Sequence, residues 1–123
     1  MNDSELNTLL DLHEQLIAYD EGYWVKIEAW EVVKSYQIPH GIRYSLTLHD
    51  FHGNRILGYD NAHQLKEKRK KFSATKNRPY DHRHLNGKDL VVEYKFEGPQ
   101  QLLIDFFNEV NKVLQQKNDQ KNS

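Results

Sequence analysis

A chain of 123 residues, 37 % hydrophobic and 28 % charged, is long enough for one domain with a real core and too short for two. Seven Tyr, five Phe and two Trp argue against a disordered chain, the lack of cysteine excludes disulfides and thiolate metal sites, and no apolar run approaches a membrane span. The net charge of −1 is unevenly spread: residues 1–42 sum to −6, residues 43–83 to +6 and residues 84–123 to −1, which makes the middle third either a phosphate-binding surface or a solvated loop.

The opening MNDSELNTLL is acidic and has no basic n-region, so it does not read as a signal peptide, and a soluble cytoplasmic protein is expected. SELNTLLDLHEQL (4–16) sets Leu6, Leu9, Leu10, His13, Leu16 and Ile17 at helical spacing, with Ser4 as N-cap. The second half of that stretch also fits a strand. DEG at 20–22 is turn chemistry. YWVKIEAWEVV (23–33) then alternates, with Tyr23, Val25, Ile27 and Ala29 on one face, and predicts a strand.

SYQIPHG (35–41) breaks the pattern through Pro39 and Gly41 and reads as a loop. IRYSLTLHD (42–50) and NRILGYD (54–60), joined by FHGN, predict a β-hairpin. The stretch 62–79 is basic with little apolar face, which predicts an exposed, mobile loop. DLVVEYKF (89–96) is a further alternating strand. GPQQLLIDFFNEVNKVLQQK (98–117) is the clearest helix, with Pro99 in its first turn and a stripe of Leu103, Phe106, Phe107, Val110, Val113 and Leu114. Residues 1–3 and 118–123 are expected to fray. The fold class expected is a single α+β domain over 1–123: a small antiparallel sheet with an N-terminal and a C-terminal helix packed on it.

The chemistry concentrates in NRPYDHRHLNGKD (77–89). His82 and His84, two apart, share one face of an extended segment, and Asp81 and Arg83 take the other, or flank the pair if the segment bends. Two imidazoles serve as general acid and general base near neutral pH, or bind a divalent metal with further ligands. GYDNAH (58–63) supplies Asp60, Asn61 and His63 at a strand exit, and PHGIRY (39–44) supplies His40 and Arg43. Arginine beside histidine suits phosphate, because the guanidinium fork matches its oxygens. The catalytic candidates are therefore His63, His82, His84 and Asp60. The substrate-binding candidates are His40, Arg43, Asn61, Asp81, Arg83, Lys70 and Lys71. Ordinary turn chemistry also accounts for Asp60 and Asn61, and His13, His49 and His52 read as surface or packing residues.

Taken together, PHGIRYSLTLHD, RILGYDNAH and YDHRH, followed by a strand and QLLIDFFNEV, resemble the TumE-like family of small toxins from about Tyr23 to Leu114. The resemblance implies the toxin of a two-gene, type II toxin–antitoxin system, with a helix-turn-helix antitoxin as partner. It points to His40 and Gly41, to Tyr59, Asp60, Asn61 and His63, and to Asp81, His82 and His84. Three modes of action stand open: a ribonuclease using histidine acid–base chemistry without a cofactor, a metal-dependent nuclease using His63, His82, His84 and Asp60, and a non-catalytic toxin that blocks its target by binding. RNA is an expected partner of the first, a membrane is not expected, and a homodimer is compatible with all three.

Overall fold

A computed structural model describes residues 2–61, 81–85 and 90–122. Helix α1 (Asp3–Asp11) begins two residues earlier than the Ser4 cap implies, because the Asn2 side chain accepts from the Glu5 N–H at 2.8 Å. Asn caps as well as Ser does, and capping at Asn2 puts Asp3 and Glu5 in the first turn, where the helix dipole favours carboxylates. Glu14 turns the chain with φ 67°, and β1 (Gln15–Ala18) follows.

A 3-10 turn (Asp20–Gly22) leads into β2 (Trp24–Glu31), then come β3 (Ile42–His49), β4 (Arg55–Asp60), β5 (His82–Leu85) and β6 (Leu90–Glu93). All five neighbouring pairs are antiparallel, giving a six-stranded sheet in the order β1-β2-β3-β4-β5-β6. The 35–41 loop is pinned by the Ser35 hydroxyl, which accepts from the Ile38 N–H at 3.1 Å, and by Gly41 at φ 76°. A Cβ on Gly41 would meet the Lys34 side chain at 3.0 Å, so glycine suits the turn that delivers His40 to the start of β3.

The period of two divides the sheet cleanly. Val25, Ile27 and Ala29 of β2, Tyr44, Leu46 and Leu48 of β3, and Leu57 and Tyr59 of β4 are buried on one face. Helix α2 (Pro99–Asn122) closes that face with Leu102, Phe106 and Val110, four residues apart, and Leu9 of α1 joins them. Phe106 is wholly buried, with its ring edge-on to Tyr59 at 5.5 Å, and truncating such a side chain to Ala costs about 3–5 kcal/mol. The α+β architecture is therefore the one the sequence predicts.

Some details differ. The helix expected over 4–16 stops at Asp11, and β1 takes Gln15–Ala18, where the second half of that stretch also fits a strand. Strand β5 (His82–Leu85) is not located from sequence as a separate strand, and Asn2 and Asp3, expected to fray, cap and open α1. Residues 118–122, expected to fray, continue α2, aided by an i, i+4 bond from Gln115 Nε2 to Asp119 Oδ1 at 3.0 Å. The basic stretch 62–79, expected as a mobile loop, lies outside the described residues. Among the described residues no helix is long and apolar enough to cross a membrane.

Candidate functional site

Strand register decides which of the candidate side chains meet. Asp60 pairs across the sheet with His82 on one side and with Ser45 on the other, while Gly58 pairs with His84. Tyr59, between Asp60 and Gly58, faces the helices, so Asp60, His82 and His84 lie on the opposite face. Arg43, two residues before Ser45, belongs to that face as well.

On it, His84 Nε2 stands 3.2 Å from Asp60 Oδ2, with both side chains buried. The His82 ring is 6.2 Å from the His84 ring, centre to centre, and half-buried. A carboxylate held against an imidazole fixes the ring's orientation, as acid–base catalysis requires. A second imidazole within about 6 Å puts two side chains of the kind acid–base chemistry uses in one cluster. Among the described residues no group of three or more His, Asp or Glu side chains is arranged to hold a metal ion. His63, Lys70 and Lys71 lie outside the described residues.

Asp81, His40 and Arg83 lie on the helix side of the sheet. The Tyr44 hydroxyl donates to Asp81 Oδ2 at 2.7 Å, and His40 Nε2 lies 3.0 Å from the same oxygen. His40 Nδ1 accepts from the Ile42 N–H at 3.2 Å, which leaves Nε2 to carry the proton and donate it to Asp81. Both ring nitrogens of His40 are thus engaged within the protein. Phe96 covers the ring at a centroid distance of 3.9 Å. Burial, then the Asp81 carboxylate, hold the Tyr44 hydroxyl well above its ordinary pKa of 10.

Arg83 Nη1 donates to Glu109 Oε1 at 3.3 Å, and the Tyr59 hydroxyl donates to the same oxygen. Burial, then Glu109, raise the Tyr59 pKa. Asn61 is completely buried: its Oδ1 accepts from the Tyr44 N–H at 3.1 Å and its Nδ2 donates to the Ile42 carbonyl at 2.8 Å. Its side chain thereby extends the β3–β4 ladder by one position.

Tyr44 and Glu109 were not among the sequence candidates. Tyr44 reads there as one more apolar-face residue. Glu109 carried a usable signal, being three residues past Phe106 and four before Val113, so that helical spacing turns it toward the sheet.

A family model described as Toxin TumE matches residues 6–114, from α1 through all six strands to the middle of α2. Searches among curated proteins and among solved structures return no match. The matched span contains Asp60, His82 and His84 as well as the His40–Asp81–Tyr44 network. A toxin of this kind is one half of a toxin–antitoxin pair, and the chain belongs to the TumE toxin family.

Proposed function

We propose that this toxin is a ribonuclease that needs no metal, acting through the imidazoles of His82 and His84 on the sheet face away from the helices. The observation that carries the reading is the buried Asp60–His84 pair, 3.2 Å apart, with His82 directly across the ladder from Asp60. One imidazole takes the proton of a 2′-hydroxyl as its oxygen attacks the adjacent phosphorus. The other gives a proton to the 5′-oxygen as the P–O5′ bond breaks, leaving a cyclic phosphate and a free 5′-hydroxyl. Arg43, on the same face, supplies a guanidinium for the phosphate oxygens. His63, Lys70 and Lys71 complete the proposed set as acid–base and backbone-holding groups. The antitoxin partner is proposed to be a helix-turn-helix protein.

The test is growth arrest on expression, with cleavage of RNA by the purified toxin in EDTA. The expected result is arrest and cleavage, both lost in His82→Ala/His84→Ala with the fold retained. A folded double variant that still arrests growth would overturn the enzymatic reading in favour of inhibition by binding. Cleavage abolished by EDTA and restored by a divalent metal would replace it with a metal-dependent nuclease.

A further inference from the structure

Away from both histidine clusters, the 3-10 turn, the β3–β4 turn and the C-terminal half of α2 enclose a groove of about 690 Å³. Tyr19, Tyr23 and Phe51 supply aromatic lining, and Leu114 of α2 adds apolar surface. Phe51 is 66 % exposed, which leaves its ring open to a partner. Gly22 permits its position: a Cβ there would fall 2.5 Å from the Phe51 Cβ, and φ is +84°. Asp20 and Glu21 place two carboxylates on the lining, against one cation, Lys117, among the described residues. Asn111 and Asn118 add amide groups that accept hydrogen bonds from a guanidinium or an ammonium.

Aromatic faces with carboxylates beside them form a receptor for a cationic side chain, which gains from both cation–π contact and charge pairing. Tyr19, Asp20, Glu21 and Tyr23 bring the acidic N-terminal third of the chain to one wall of the groove. We infer that this groove seats an arginine- or lysine-bearing segment of the antitoxin. The inference rests on the toxin–antitoxin reading and on the helix-turn-helix, DNA-binding antitoxin proposed above. A DNA-binding antitoxin must carry such residues to hold phosphates, so its basic surface is complementary to this one. The groove is separate from Asp60, His82 and His84, so antitoxin capture and toxic action use different residues.

The experiment compares wild-type toxin with Asp20→Asn/Glu21→Gln and with Phe51→Ala. Calorimetry measures binding of the antitoxin encoded beside it, and growth assays measure toxicity with and without that antitoxin. All three positions are exposed, so the variants keep the fold. Expected is unchanged arrest by each variant alone, a Kd about tenfold or more weaker, and poorer rescue by the antitoxin. Wild-type binding with the same Kd for both variants would overturn the docking assignment and leave the toxin–antitoxin reading standing. Failure of wild-type toxin to bind that antitoxin at all would overturn both. A dimer of isolated toxin that dissociates in Asp20→Asn/Glu21→Gln would assign the groove to a second copy instead and overturn the antitoxin assignment.

Discussion

His84 and Asp60 stand diagonally across two strands, Nε2 to Oδ2 at 3.2 Å, both buried, on the face that α1 and α2 do not cover. Asp60 thereby holds one imidazole while lying opposite the other. Asp60→Asn keeps the shape and removes the charge. The expected result is a folded protein whose RNA cleavage falls by about 10²-fold or more, the usual scale for losing a positioned acid–base group. Circular dichroism checks the fold, and single-turnover cleavage checks the chemistry.

Tyr44 donates to Asp81 on the helix side of the sheet, so its removal tests stability apart from toxic action. Tyr44→Phe deletes a buried hydrogen bond to a carboxylate and leaves the ring in place. Its expected cost is about 1.5–3 kcal/mol in urea unfolding, with growth arrest retained at permissive temperature. Loss of arrest at full stability would mean that the His40–Asp81–Tyr44 network takes part in the toxic function.

Period-two alternation made β2 and β3 legible from sequence, and the apolar stripe made α2 legible. The same period divides His82 and His84 from Asp81 and Arg83. Strand β1 was harder to see, because four residues on a sheet edge, three of them exposed, show almost no pattern. That Asp60 shares a face with His82 was not legible at all. It depends on the β4–β5 register, which is fixed between segments separated by the whole basic stretch. The pairing of His40 with Asp81 is longer still in range and joins a loop to a strand entrance. Local propensity carries no information about either contact, since each is set by how the sheet closes over the core.

Asn61 lies in the DN pair that reads from sequence as turn chemistry or as a binding residue. Its buried amide bridges two β3 backbone groups, the Tyr44 N–H and the Ile42 carbonyl. Asn61→Ala leaves both without that partner, at about 1–3 kcal/mol for each group that stays unsatisfied. Asn61→Asp keeps the acceptor for Tyr44 but turns a carboxylate oxygen toward the Ile42 carbonyl, and is expected to be at least as damaging. Urea midpoints rank the variants, and hydrogen exchange at Tyr44 reports the loss directly. Unchanged exchange in Asn61→Ala would show that the amide does not hold the ladder.

High pH tests the buried tyrosines together. Tyr44, Tyr59 and Tyr94 all have pKa values raised above 10, in each case first by burial and then by a carboxylate neighbour: Asp81, Glu109 and Asp105 respectively. Above pH 10 the unfolded chain releases these protons while the folded chain keeps them. Folding therefore binds protons in that range, and stability falls as pH rises. The contribution is complete below pH 10 and is lost progressively above it, toward the folded-state values. Phenolate absorbance from these three is expected to rise only with unfolding. Tyr44→Phe makes the loss of stability per pH unit above 10 shallower, because one of the three protons is no longer taken up on folding. A single smooth titration of all seven tyrosines with the fold intact would show that these hydroxyls are not held as the structure places them.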